Sequence, residues 1–233
     1  MSRQLLLEII PAPDPTLDNT LVGQNGAAID AARALQPGRA LYLWGPPGAG
    51  RSHLLRAMAG GRPSVLVNSE TNSADILSMA TSSALAQEIK LVAVDDIQLM
   101  DDAQLAGVFA LYNHWRESAT TSSAFALAVT GDRAPMMMSL REDLRTRLGW
   151  DLVFRLEPLS DADKYAALKT HARQLGLPLS DDVLDWMLTH YSRDIRQLFA
   201  LVDAIDRYSL SKHRAVTVPL MRTMLSDREF LQS

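Results

Sequence analysis

The sequence predicts an α/β fold, a parallel sheet flanked by helices, followed by a small all-helical domain. Three observations predict it. Short apolar runs recur at 41–44, 65–67, 91–94 and 125–129, each ending at polar residues. Such runs suit strands buried on both faces of a parallel sheet. Helical stretches lie between them, notably 52–58 and 102–117, and strands that alternate with helices indicate an α/β core. After Glu157-Pro158 the strand signals stop, and only helical periodicity follows.

Taken in order, residues 1–15 stand apart as a tail. Gln4-Leu5-Leu6-Leu7-Glu8-Ile9-Ile10 is largely apolar, and Pro11, Pro13 and Pro15 alternate with other residues, which favours an extended connector over a helix. Residues 16–156 carry the strand and helix runs of the α/β domain. Residues 157–233 read as a helical domain. There, 161–175 sets Tyr165, Leu168, Ala172 and Leu175 on one face, 182–191 does so with Val183, Met187 and Tyr191, and 194–210 with Ile195, Leu198, Phe199, Val202 and Ile205. Ser160 with Asp163, and Ser180 ahead of Asp182, are expected to cap the first two helices. Val216-Thr217-Val218-Pro219 opens a last short helix.

Composition narrows the function classes. The chain of 233 residues is 47% hydrophobic and 21% charged, close to soluble globular averages, so general disorder is excluded. Its formal charge of −4 has the wrong sign for a protein that wraps nucleic acid unaided, so no direct sequence-specific DNA binding is expected. With no cysteine, disulfides, thiolate-bound zinc and thiol catalysis are absent. No apolar run reaches ~18 residues and no signal peptide is evident, so no membrane partner and a cytoplasmic location are expected.

The chemistry concentrates at strand ends. Gly45-Pro46-Pro47-Gly48-Ala49-Gly50-Arg51-Ser52 follows an apolar strand and opens a helix, the setting that a phosphate-binding loop requires. Backbone N–H groups curl around phosphates, the helix N-terminus adds partial positive charge, and the Ser52 hydroxyl can ligate Mg²⁺. The pattern G-x-x-x-x-G-K-[ST] is met except at Arg51, which stands where lysine is expected. A guanidinium neutralises phosphate, but its planar fork does not replace a compact ammonium. ADP or ATP is the expected ligand, with tight binding of ADP and weak or negligible ATP turnover, and a plain Gly/Pro turn is the alternative. Leu91-Val92-Ala93-Val94-Asp95-Asp96 ends an apolar strand in two carboxylates, of which Asp95 can hold Mg²⁺ and Asp96 can orient or polarise water. Two acids capping a strand would look the same.

Val129-Thr130-Gly131-Asp132-Arg133 ends another strand, and ligands collect at the carboxyl ends of strands in such sheets, so Thr130 or Asp132 could touch a γ-phosphate or attacking water. Arg145 and Arg147 lie near the end of a helix, where an arginine can complete a neighbour's site or pair with Glu142, Asp143 or Asp151. Arg196, beside Asp194, can reach phosphates or form a surface salt bridge.

These elements, in this order, resemble the AAA+ family of P-loop NTPases over residues 16–225: Walker A at 45–52, Walker B at 94–96, sensor 1 at 130–132, an arginine finger at Arg147 and sensor 2 at Arg196. Asp95-Asp96-Ile97-Gln98, Thr130-Gly131-Asp132-Arg133, Arg147-Leu148-Gly149-Trp150 and Thr16-Leu17-Asp18-Asn19-Thr20-Leu21-Val22-Gly23 resemble the nucleotide-binding part of the replication initiator DnaA. The resemblance implies an AAA+ core with a helical lid. It also implies nucleotide contacts from Leu21, Val22, Gly45, Pro46, Pro47, Gly48, Ala49, Gly50, Arg51, Ser52, His53 and Arg196, with Mg²⁺ at Ser52 and Asp95. Catalytic roles fall to Asp96, Thr130, Asp132 and, acting in trans, Arg147. The chain ends soon after the lid, so it is expected to lack the initiator's DNA-binding domain. Gln4, Leu5, Leu7 and Ile9 resemble the peptide with which bacterial proteins dock on the sliding clamp, the beta subunit of DNA polymerase III. In the DnaA-like branch with this tail and no DNA-binding domain, the loop commonly carries Arg and ADP is the activating ligand. The implied function is clamp-dependent stimulation of the hydrolysis of DnaA-bound ATP, which prevents over-initiation, with self-association into a homo-oligomer left open. The alternatives are an ATP-driven loader or remodeller with its own turnover, and an adaptor that binds nucleotide only for stability.

Overall fold

A computed structural model describes residues 14–81, 88–192 and 194–227. The chain divides into two compact units, one spanning Pro15–Pro158 and the other containing Leu159–Ser233.

In the first unit the apolar runs form a five-stranded, wholly parallel sheet of order β2-β3-β4-β1-β5. Its strands are β1 (Ala40–Trp44), β2 (Ser64–Val67), β3 (Leu91–Val94), β4 (Ala126–Gly131) and β5 (Leu152–Arg155). The helices are α1 (Gly26–Arg33), α2 (Arg51–Gly60), α3 (Ser73–Thr81), α4 (Asp102–Ser118) and α5 (Glu142–Leu148). Alternate side chains build a core on each face, because successive strand residues point to opposite sides. Tyr42, Val92, Val94, Leu127 and Val129 pack with Ile76 of α3 and Val108, Leu111 and Trp115 of α4. Leu41, Leu43, Ala93 and Ala128 pack with Ile29 of α1 and Leu54, Leu55 and Met58 of α2.

Two features depart from the sequence reading. β5 has no counterpart among the four apolar runs, because only alternate residues are covered at this edge, and Val153 is exposed. The run at 65–67 is not buried on both faces either, since β2 is the opposite edge and Leu66 is 40% exposed.

The first residue of β1 is tied to the start of β5 through one carboxylate. Asp151 accepts from Arg39 Nε at 2.7 Å and from the Ala40 N–H at 2.9 Å. The Arg39 guanidinium holds the Asp151 carboxyl below its ordinary value. The folded chain therefore binds this proton less readily than the unfolded chain, whose carboxyl titrates near ~3.9. The stabilisation is present above about pH 4 and fades as pH falls through the lowered folded value. Asp151→Asn is expected to cost about 1 kcal/mol at pH 7. In melts of both chains between pH 7 and 3, the gap narrows only below about pH 4.

In the second unit the four amphipathic stretches form α6 (Asp161–Gln174), α7 (Asp181–His190), α8 (Ile195–Lys212) and α9 (Val218–Ser226) around Leu168, Val183, Met187, Leu198, Ile205 and Met224. Ser160 and Asp163 form a reciprocal capping box. Ser180 occupies the N-cap of α7 but makes no side-chain cap bond there. Leu175 is exposed and Leu177 buried in its place. Gly176 adopts φ 71°, so the Leu177 N–H turns back to the Ala172 carbonyl at 2.9 Å and its side chain re-enters the core.

Candidate functional site: a phosphate-loop centre

The loop leaves β1 at Gly45 and enters α2 at Arg51. A Cβ at Gly45 would overlap the Leu156 carbonyl oxygen and lie 3.2 Å from Ala49 Cβ, so the chain after β5 dictates glycine here. Gly48 and Gly50 adopt φ 81° and 87°, with nothing within 4 Å of where a Cβ would stand. Conformation rather than crowding calls for glycine at both. The space beside the loop is open, and the first N–H groups of the ten-residue α2 lack intrahelical acceptors. That arrangement suits a phosphate. Pro46 and Pro47 form the preceding turn, Ala49 is buried, and Ser52 and His53 follow on the first turn of α2.

Parallel pairing sets the ends of β3, β4 and β1 side by side, and one network joins them. The Ser52 hydroxyl donates to Asp95 Oδ1 at 2.9 Å, and the Thr130 hydroxyl donates to the same oxygen at 2.8 Å. Thr130 also accepts from the Asp96 N–H at 2.7 Å. Asp95 is 5% exposed and Thr130 fully buried. The Arg56 guanidinium stands 3.8 Å from Asp95 Oδ2. A hydroxyl beside a buried carboxylate is an oxygen donor set suited to Mg²⁺.

Arg51 lies at the centre. Its guanidinium donates to the carbonyls of Gly45 and Gly131, the latter at 3.0 Å, and to Asp96 Oδ1 at 2.8 Å. Gln98 Nε2 donates to that oxygen at 3.0 Å. Asp96 itself sits in the left-handed region at φ 48°, a conformation that a non-glycine residue holds only when its surroundings enforce it.

The remaining residues expected to act fall into separate settings. Asp132 pairs with Arg133, Nη2 to Oδ2 at 2.7 Å, and this bond holds its carboxyl below the ordinary value. Leu21 is half-buried and Val22 exposed ahead of α1, and Thr20 Oγ1 lies 3.2 Å from His53 Nε2, which links that segment to α2. Arg147 joins none of these bonds. Its guanidinium carbon lies 3.7 Å from the Phe109 ring centre and 5.0 Å from that of Trp150, with Nη2 donating to Asn113 Oδ1 at 2.8 Å and Nη1 to the Asp143 carbonyl at 3.3 Å. Asp143 pairs with Arg141 and Asp151 with Arg39, so an aromatic and amide seat replaces the expected alternative of an ion pair. In the second unit, Arg196 pairs with Asp194 at 2.7 Å. Gln4, Leu5, Leu7 and Ile9 lie outside the described residues.

Sequence reasoning missed several contributors. Phe109 and Asn113 are one helical turn apart on α4, a spacing that shares a face and could have drawn attention. Tyr42, whose hydroxyl donates to the Arg133 carbonyl at 2.8 Å, is hidden in an apolar run. Asn25 carried no signal at all. It is buried, and its amide bonds both backbone groups of Glu157, Nδ2 to the carbonyl at 2.9 Å and Oδ1 from the N–H at 2.8 Å.

Comparison with known proteins places this geometry. The family model described as "Hda, lid domain" matches residues 161–225. An uncharacterized protein of Haemophilus influenzae is 32% identical over 241 residues, covering 97% of this chain and all of its own length. Domain III of the replication initiation protein DnaA from Thermotoga maritima has 20% identity and a TM-score of 0.66, covering 96% of this chain and 100% of that one. AMPPCP-bound DnaA from Aquifex aeolicus has 18% identity and a TM-score of 0.62 over 83% of this chain and 65% of its own. The RuvB Holliday junction branch migration motor of Thermotoga maritima has 14% identity and a TM-score of 0.60 over 94% of this chain and 72% of its own. Among the described residues no helix is long and apolar enough to cross a membrane. Residues 161–225 match the Hda lid-domain family, and with a parallel 2-3-4-1-5 sheet carrying a phosphate loop and the fold of DnaA domain III the chain is an Hda-like protein.

Proposed function

We propose that this chain is a regulatory inactivator of DnaA, which docks on the DNA-loaded sliding clamp and accelerates hydrolysis of the ATP that the initiator holds. The observation that carries this reading is the presence of two separate devices in one unit. The loop at 45–52 is arranged to hold a nucleotide, whereas Arg147 takes its bonds from α4 and Asp143 and none from its own loop. Arg147 lies outside the chain's own nucleotide loop, and entering a neighbour's site takes it out of its seat on Phe109 and Asn113.

The chain's own loop binds ADP or ATP through the α2 N-terminus, with Leu21 and Val22 along the base and Ser52 and Asp95 holding Mg²⁺. Bound Mg²⁺ neutralises charge on the phosphate oxygens. The α2 N-terminus and the segment before α1 would hold a bound nucleotide, and ordering these segments would favour the form of the unit that receives the initiator. Gln4, Leu5, Leu7 and Ile9 tether the chain to the clamp, and the proline connector raises its effective concentration near initiators at active replication forks. Arg147 then stabilises charge developing on the phosphoryl group in the initiator's site.

Reconstitution with ATP-loaded initiator, DNA-loaded clamp and this chain tests the reading. ADP production is expected to rise only when all three are present. Deleting residues 2–10 is expected to abolish clamp binding and the stimulation, with the melting temperature nearly unchanged. Equal hydrolysis with and without the chain refutes the proposal. Steady ATP turnover by the chain alone would instead favour the loader.

A further inference from the structure

We propose that Asn25 is the positioning residue that makes the segment before α1 and the phosphate loop a single nucleotide site, by tying that segment to the two residues that follow β5. The inference deepens the reading of Leu21, Val22 and 45–52 as a nucleotide site and rests on it.

Asn25 is the N-cap of α1, a position where asparagine ordinarily turns its side chain onto the free N–H groups of the first turn. It makes no such bond here. The amide reaches instead to a residue 132 positions away, where Oδ1 accepts from the Glu157 N–H at 2.8 Å and Nδ2 donates to the Glu157 carbonyl at 2.9 Å. Both backbone groups of one residue are thus engaged, as they are between directly paired antiparallel strand residues. The partners also fix the amide's orientation, because a flipped group would set donor against donor. Asn25 is 8% exposed, so water does not readily replace either bond.

What this clasp holds on each side decides its use. On one side the Asn25 N–H donates to the Val22 carbonyl at 2.8 Å, closing a turn in which Gly23 takes φ 46°. Fixing Asn25 therefore fixes the place of exposed Val22. On the other side Leu156, the residue before Glu157, donates its N–H to the Trp44 carbonyl at 2.6 Å and sets its own carbonyl where a Cβ at Gly45 would stand. Two consecutive residues thus back the start of the phosphate loop and the segment before α1. A site assembled from two segments binds more tightly when their spacing is set before the ligand arrives, since binding then does not have to order them. Removing the clasp leaves each segment its own turn and takes away their common support.

The substitution Asn25→Ser in the full chain tests the role, because serine is a comparably good N-cap and removes the clasp without uncapping α1. Calorimetric affinities are measured for ADP and for pyrophosphate, which carries two phosphates and no base. The unsubstituted chain is expected to prefer ADP. N25S is expected to lose about tenfold in ADP affinity, the scale of two neutral hydrogen bonds, with its pyrophosphate affinity unchanged. A merely structural role lowers both affinities together or neither, and either result overturns the positioning role alone. No binding of either ligand by the unsubstituted chain, or equal affinity for the two, overturns the nucleotide reading and the proposal with it. A second readout does not depend on N25S folding: in the unsubstituted chain, saturating ADP is expected to slow hydrogen exchange of the Glu157 amide more than saturating pyrophosphate does. Equal exchange in the two complexes overturns the proposal.

Discussion

Arg147→Ala is expected to eliminate most clamp-dependent hydrolysis of initiator-bound ATP while leaving the fold, nucleotide binding and clamp docking in place. A finger supplied in trans accelerates phosphoryl transfer by ~10³ to 10⁵ in nucleotide hydrolases, so the loss is large even if binding to the initiator survives. The cost to stability is small by comparison. Arg147 lies over Phe109 and bonds Asn113 and the Asp143 carbonyl, with no carboxylate partner among the described residues. A part-buried cation–π contact and two hydrogen bonds from a charged donor together contribute about 2–4 kcal/mol. For a domain of this size that corresponds to a fall in Tm of roughly 4–16 °C. Thermal melts, clamp binding and ADP production measured on one preparation separate the two effects. Arg145→Ala is the matched control, since Arg145 is two residues away on the same helix. Full stimulation by R147A, with its loss in R145A, would move the finger to Arg145.

Gly131→Ala is expected to destabilise the fold strongly. The new Cβ would overlap Tyr42 Oη and lie 2.9 Å from its Cζ, inside a sheet where neither β1 nor β4 can retreat. Overpacking of this kind costs about 3 kcal/mol or more. The same shift disturbs the Gly131 carbonyl that receives Arg51, so nucleotide affinity falls with stability. Tyr42→Phe alone removes the bond to the Arg133 carbonyl and is expected to cost about 1 kcal/mol. The double variant relieves the overlap with the hydroxyl and not the approach to Cζ, so its total cost is expected to fall below the sum of the two. Additive costs in urea melts would show that Tyr42 is not what demands glycine at 131.

The legible part of this molecule was its local patterning. The run at 91–94 coincides with β3, and the stretch at 102–117 ends one residue short of α4. Strands buried on both faces announce themselves as apolar runs, and helices with one covered face show their period. At the edges the signal weakens, because β5 buries only part of each face and mixes Arg155 into its run. The phosphate loop was legible for a related reason: glycine spacing, a preceding strand and a following helix are all contiguous in sequence. The use made of its arginine was not legible.

What the sequence by itself determined is therefore the set of elements, their order and the types of residue at strand ends, all properties of windows a few residues wide. Tertiary structure decided the partners. Arg51 meets Asp96 and Gly131 only because β3, β4 and β1 lie adjacent in the sheet, at sequence separations of 45 and 80 residues. Asn25 finds Glu157 across 132 residues, and Arg147 finds Asn113 across 34. A guanidinium has the same chemistry against a phosphate, a carboxylate or an aromatic face, and which of them it meets is set by the packing of distant segments, on which its immediate neighbours in the chain have no bearing.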